Sequence, residues 1–111
     1  MTAPRSVPEV PASQVPDGGW LLDVREPREW AAGHAPTATH IPLGQVGERA
    51  GELPRDEEIY VICRTGARSA RVTLALADAG LRAVNVGGGM QDWAAAGLPM
   101  VSDTGSAPTV A

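Results

Sequence analysis

The chain has 111 residues, 43% of them hydrophobic and 20% charged, and a formal net charge of -4 at pH 7. This length suits one domain with a single core, and the acidic balance argues against nucleic acid or an anionic membrane as the main partner. All nine basic residues are arginine, which excludes a lysine Schiff base and a lysine-centred phosphate loop. The single cysteine excludes an internal disulfide.

The N-terminal segment has no apolar stretch of signal-peptide length, and the apolar runs are far shorter than the ~20 residues of a membrane helix. We therefore expect a cytoplasmic protein. Prolines and glycines interrupt residues 1–19, which predicts a short edge strand near residues 7–10 and then a turn. The apolar run 20–24 predicts a buried strand, and Pro27 fits the first turn of a helix over residues 28–32.

The middle of the chain continues this alternation. Residues 38–41 predict a strand, and residues 43–53 predict a weakly amphipathic helix containing three glycines. Residues 59–62 give the clearest strand, being β-branched, aromatic and almost entirely apolar. The clearest helix spans residues 69–79, with Ser69 as its N-cap, and a further strand spans residues 82–86.

The C-terminal part contains a glycine turn at residues 87–89 and a predicted short helix at 91–96. We expect one domain over residues 1–100 and a flexible tail over 101–111, whose residues are mostly small and polar. Alternating strands and helices predict an α/β fold, a small parallel sheet of about five strands with helices on both faces. In such sheets, functional sites lie outside the carboxyl ends of the strands.

Cys63 stands at that place, between the clearest strand and a loop that opens a helix. A thiol reacts as its anion, and helix-entry amides with nearby guanidinium groups lower a cysteine pKa from ~8.5 to roughly 3.5 to 7.5. A lone cysteine is usually a packing residue, but packing explains none of Arg64, Gly66 and Arg68. We therefore predict a reactive thiolate at Cys63.

The loop residues have candidate roles around that thiolate. The backbone from Arg64 through Ala67 to Ser69 can form an anion cradle, within which Gly66 allows a tight turn. Arg64 and Arg68 are both candidates for gripping a multi-oxygen anion, and the alternative for each is a solvated loop charge. Thr65 either donates its hydroxyl to the sulfur or fills the loop.

Asp23 and Arg25 end a buried strand, where a charge must be paired or hydrogen-bonded. We expect them to support the site, with Arg25 pairing with Glu29 or anchoring backbone near the active loop. His34 and His40 are expected to be structural or surface residues, because a thiolate of low pKa needs no base to activate it. No metal and no cofactor is expected.

Three motifs in order resemble the single-domain rhodaneses, or thiosulfate sulfurtransferases. They are LLDVREPREW at 21–30 with GH at 33–34 and IPL at 41–43, the Cys63 loop, and VGGGMQDW at 86–93 with GLP at 97–99. One departure is Thr37, since the turn after Pro36 usually carries glycine in the family. We expect a local change of backbone there and no effect on chemistry.

The resemblance implies a rhodanese-like fold and a two-step sulfur transfer. The thiolate of Cys63 takes the outer sulfur of thiosulfate or of a persulfide donor, and a thiophilic acceptor such as cyanide or a thiol removes it. The alternatives are a persulfide relay to a partner protein and a non-catalytic binding or regulatory module. A cysteine phosphatase or arsenate reductase is disfavoured. In those enzymes five residues separate the nucleophilic cysteine from the arginine of the loop, whereas here only four separate Cys63 from Arg68.

Overall fold

The computed structural model describes residues 7–111, so residues 1–6 of the expected domain lie outside the described residues. Within residues 7–111, five strands form one sheet: β1 Glu9–Pro11, β2 Trp20–Asp23, β3 Thr39–His40, β4 Ile59–Ile62 and β5 Ala83–Gly87. Their spatial order is β1-β5-β4-β2-β3, and every neighbouring pair is parallel. The main helices are α1 Pro27–Ala32, α2 Ala67–Asp78 and α3 Gly89–Ala95. The predicted α/β fold is confirmed.

The central strand β4 is buried along its whole length, as expected for a strand covered on both faces. On one face, Val61 and Cys63 pack in a cluster that includes Val72 and Leu76 of α2. On the other face, the cluster is formed by side chains of the sheet, α3 and neighbouring loops, among them Leu21, Tyr60, Ile62, Val86, Met90 and Trp93. Because side chains alternate along a strand, β4 contributes to both cores and carries Cys63 to its carboxyl end.

Helix α2 begins at Ala67, two residues before the predicted start, so Ser69 is not the N-cap. Gly66 occupies that position with φ +107°. This left-handed conformation suits glycine and lets the chain turn from the loop directly into the helix. Ser69 therefore lies in the first turn of α2, where it is buried.

Residues 43–53 do not form the predicted helix. They form two short 3-10 helices, Leu43–Gln45 and Ala50–Glu52, separated by turns. Three glycines in eleven residues explain the difference, because each lowers helix propensity by about 1 kcal/mol relative to alanine.

Residues 101–111 lie against the domain. Val101 and His34 exchange two backbone hydrogen bonds of 2.9 Å, and the amides of Asp103 and Thr109 donate to the carbonyls of Ala31 and Ala32. These contacts define a docked position for the segment, and its flexibility stays a prediction. Between residues 7 and 111, no helix is long and apolar enough to span a membrane.

Candidate active site

The thiol of Cys63 lies in a small cradle at the carboxyl end of β4. The residue is 1% exposed. The backbone N–H of Gly66 donates to Sγ at 3.1 Å, and the hydroxyl of Ser69 donates to the same sulfur at 3.3 Å. Two donors pointing at one sulfur stabilise negative charge on it.

These contacts determine the direction of the thiol pKa. Burial raises the pKa of Cys63 and is the largest single influence. It is outweighed by the Ser69 hydroxyl together with the backbone amides of Ser69, Gly66 and Thr65, so the pKa of Cys63 lies below its usual value. The thiolate fraction at neutral pH is raised accordingly, which favours nucleophilic reactivity.

The N-terminal turn of α3 holds the loop from the other side. The amides of Met90 and Gln91 donate to the carbonyls of Cys63 and Arg64 at 2.8 and 3.0 Å. This approach requires glycine at position 89, where φ is +54° and an added Cβ would collide with the backbone of Cys63 and Arg64. The glycine turn 87–89 therefore brings α3 against the loop.

Arg68 does not extend freely towards the thiol. Its two terminal nitrogens each donate to one carboxylate oxygen of Glu29, both at 2.8 Å. Hydrogen bonds from Arg68 hold the pKa of Glu29 at about 2 despite partial burial, and the pKa of Arg68 is raised in turn. Because this pair already uses the guanidinium fork, an anion must compete with Glu29 for Arg68.

Arg64, by contrast, is exposed, and its Nε atom donates to the backbone carbonyl of Ala111 at 2.9 Å. Thr65 and Ala67 are also exposed, and both lie on the solvent side of the loop. The structure thus brings Cys63, Gly66 and Ser69 together. It leaves Arg64 as the loop guanidinium most accessible to a small anion.

Asp23 and Arg25 form a fully buried ion pair, with Nη2 and Oδ2 2.7 Å apart. The remaining donors of Arg25 bind the carbonyls of Glu29 and Gly33 at 3.2 and 2.8 Å. Arg25 therefore anchors the backbone in the middle of α1 and just after its C-terminal end, and it meets the main chain of Glu29 rather than its carboxylate. This arrangement fits the supporting role expected for the pair.

The two histidines stack on Trp30, with ring centroids 3.6 Å away for His34 and 4.8 Å away for His40. Nδ1 of His34 lies 2.7 Å from the backbone carbonyl oxygen of Trp30. Nε2 of His40 lies 2.7 Å from the backbone carbonyl oxygen of Arg25. Carbonyls only accept, so these ring nitrogens carry the protons. Both imidazoles therefore pack on α1, and His40 links β3 to it.

Glu29 and Asn85 contact residues of the loop or of the helix that follows it, and the sequence did not predict either contact. Glu29 belongs to a capping box with Glu26 at the start of α1, a local pattern that does not reveal Arg68 as its second partner. Asn85 stands inside an otherwise apolar strand, and this interruption is the signal that identifies it. Its amide binds the carbonyl of Gly66 at 3.2 Å.

Comparison with known proteins gives a consistent result. Residues 9–96 match the family model described as the rhodanese-like domain. A sulfurtransferase of Allochromatium vinosum is 38% identical over 86 residues, covering 77% of this chain and 80% of that protein. The putative sulfur carrier protein YrkF of Bacillus subtilis is 46% identical over 74 residues, which are 66% of this chain but only 40% of that longer protein.

Among solved structures, a rhodanese-related protein from Thermoplasma volcanium superposes with a TM-score of 0.80 at 35% identity. The match covers 85% of this chain and 97% of that one. The family model accounts for every strand of the sheet and for all three helices α1 to α3. The chain therefore belongs to the rhodanese-like domain family.

Proposed function

We propose that the protein is a sulfurtransferase that carries a sulfane sulfur as a persulfide on Cys63. The observation that supports this most directly is the cradle around Sγ, with donors from Gly66 and Ser69 and a lowered thiol pKa. The transferred atom carries negative charge before and after each step, so fixed donors stabilise it throughout. Retention of the cysteine with this cradle argues against a purely binding or regulatory module.

In the first half-reaction, the Cys63 thiolate attacks the outer sulfur of thiosulfate. The bond between the two donor sulfurs breaks, and sulfite leaves with its electron pair. In the second half-reaction, an acceptor such as cyanide or a thiolate attacks the outer sulfur of the persulfide, and Cys63 leaves as the thiolate. The reaction is covalent nucleophilic catalysis that needs neither metal nor cofactor.

Recognition of the anionic donor falls to the loop guanidinium groups in this scheme. Arg64 is exposed, whereas Arg68 is bound by both carboxylate oxygens of Glu29. At Arg64 the several oxygens of a sulfonate compete only with the single contact from Nε to Ala111, whereas at Arg68 they must displace two hydrogen bonds to a carboxylate. We therefore assign Arg64 as the main contact for the donor and Arg68 as a positioning residue.

Intact mass spectrometry tests the proposal. Incubation with thiosulfate, without reductant, is expected to add one sulfur atom, about 32 Da, and cyanide is expected to remove it as a covalent intermediate requires. The Cys63→Ser variant is the matched control and should gain nothing. If glutathione persulfide adds sulfur to Cys63 of the wild type but thiosulfate does not, the sulfur donor is a persulfide and not thiosulfate. Absence of the mass increase with both donors would refute sulfur transfer.

A second candidate acceptor is a partner protein, so that the chain relays sulfur rather than releasing it to a small molecule. Cys63 is the only cysteine, so the persulfide cannot be resolved within this chain. One relative bears the name putative sulfur carrier protein. The relay is favoured if the Cys63 persulfide transfers its sulfur faster to a thiol-bearing protein fraction than to cyanide or glutathione.

A further inference from the structure

Asn85 is a buried amide beneath the active-site loop. It lies on β5 opposite Val61 of β4 and is 1% exposed. Its neighbour two residues earlier on the same face, Ala83, belongs to the apolar cluster beneath α2. An amide in such surroundings is costly unless its polar atoms find partners.

Both donors of this amide are used. Nδ2 donates to the carbonyl of Gly66 at 3.2 Å and to Oε1 of Glu9 at 2.9 Å. Since both partners are oxygens, they fix which end of the amide faces them. Oδ1 is buried and has no hydrogen-bond partner among the described residues.

Gly66 supplies the shorter of the two hydrogen bonds to the thiol of Cys63. Its N–H reaches Sγ of Cys63 at 3.1 Å, and its φ of +107° is in the left-handed region. Glycine has more backbone freedom than any other residue, so its own conformational preference does not hold this turn. Its carbonyl accepts from Ala70 within α2 at 3.1 Å and from Asn85 across the sheet.

We propose that Asn85 is a positioning residue that fixes the Gly66 turn, so that the Gly66 N–H stays directed at the sulfur of Cys63. The contact from Ala70 belongs to the helix and moves with it, whereas Asn85 ties the turn to the sheet that carries Cys63. The consequence of this Asn85 contact for sulfur transfer rests on the proposed function, but its effect on the pKa of the Cys63 thiol does not.

A purely structural role explains this residue less well. An apolar side chain at position 85 would match Val61 and Ala83 and would remove an unpartnered buried oxygen. A buried acceptor without a partner is destabilising, so an amide at position 85 opposes stability unless its donor group has another use. The donor to Gly66 supplies that use.

Cys63 reactivity measures the effect without any sulfur donor. We would follow iodoacetamide alkylation of the full chain between pH 4 and 10 in the wild type, Asn85→Leu and Asn85→Ala, with circular dichroism melts alongside. We expect the thiol pKa to rise by about 0.5 unit or more in both variants, so alkylation below the wild-type pKa slows about threefold. Leucine avoids the cavity that alanine leaves, so at least one variant should remain folded.

Thr73→Val is the matched control, because Thr73 is equally buried and its hydroxyl donates to Ser69 O at 2.7 Å instead of to Gly66. It should change the melting temperature but not the alkylation profile. A folded Asn85 variant with the wild-type profile would overturn the proposal, as would an equal shift in Thr73→Val. Failure of persulfide formation in the wild type, by contrast, would refute the proposed function and leave this result standing.

Discussion

The carboxylate of Glu29 accepts two hydrogen bonds from the guanidinium of Arg68, both at 2.8 Å. The two residues are 39 positions apart, so the pair joins the start of α1 to the start of α2 beside the Cys63 loop. Oxygen Oε1 of the same carboxylate also accepts the backbone N–H of Glu26 at 3.0 Å. One side chain thus caps one helix and holds the arginine of another.

Glu29→Gln should make the stability of the fold less dependent on acid pH. The pKa of Glu29 is lowered from 4.5 to about 2, chiefly by the hydrogen bond from Arg68, so the folded state binds this proton less readily than the unfolded state does. The stabilisation is complete above pH 4.5 and is lost as pH falls towards 2. Urea unfolding across this range should show a wild-type advantage at pH 6 that shrinks with acidification.

Glu52→Gln is the control for that experiment, because Glu52 forms an exposed ion pair with Arg49. Exposed pairs contribute little, so this variant should follow the wild type at every pH. If Glu29→Gln also follows the wild type, the contact with Arg68 contributes nothing to stability.

Arg64→Ala is expected to raise KM for thiosulfate with little effect on the melting temperature. Hydrogen bonds to charged groups contribute about 1.5–3 kcal/mol, which corresponds to an increase of about tenfold or more in steady-state assays. Arg68→Ala should instead lower the melting temperature and raise the pKa of Glu29, whose partner is lost. Arg71→Ala, on the exposed side of α2, is the control. A larger KM effect in Arg68→Ala than in Arg64→Ala would reverse our assignment.

The fold was predictable because its signals are local. Strand β4 is a short apolar run of β-branched and aromatic residues, and α2 has an apolar stripe with helical spacing, so each element is marked in its own segment. The alternation of such elements predicts a parallel sheet, and the sheet places Cys63 at a carboxyl end. These steps needed no knowledge of distant contacts.

The partners of the loop were not predictable in the same way. Arg68 meets Glu29 across 39 positions, and Asn85 meets Gly66 across 19, and neither pair has a local pattern that specifies it. The role of Ser69 was mispredicted for a different reason. A serine before an apolar run is typical of an N-cap, but the left-handed Gly66 starts the helix earlier and turns the hydroxyl towards Cys63.

Ser69→Ala should therefore raise the pKa of the Cys63 thiol. Burial favours the neutral thiol, and the hydroxyl of Ser69 is the largest of the contacts that oppose it. Without it, iodoacetamide alkylation at pH 6 should slow about three- to tenfold, the effect of a shift of 0.5 to 1 unit. Ser13→Ala, at an exposed serine, is the control. An unchanged rate in Ser69→Ala would mean that the backbone amides alone stabilise the thiolate.

Residues 101–111 provide the last prediction, which concerns motion. Apart from Val110, which packs on the cluster containing Met90 and Trp93, the segment is held mainly by a few backbone hydrogen bonds near the surface. Few buried apolar contacts mean a low free energy of local opening. We propose that the segment opens readily, so that the amides of Asp103 and Thr109 exchange hydrogen much faster than those of β4.

Val110→Asp should accelerate exchange at Thr109 further, because a carboxylate disfavours the apolar contact, whereas Ala107→Asp adds the same charge at an exposed position and should not. Since the carbonyl of Ala111 accepts from Arg64, opening of the segment also frees the Arg64 guanidinium from this contact. Val110→Asp should then lower KM for thiosulfate, and Ala107→Asp should leave it unchanged. Slow exchange at Asp103 and Thr109 in the wild type would show that the segment is a fixed part of the domain. Arg64 would then meet its anion only by exchanging one partner for another.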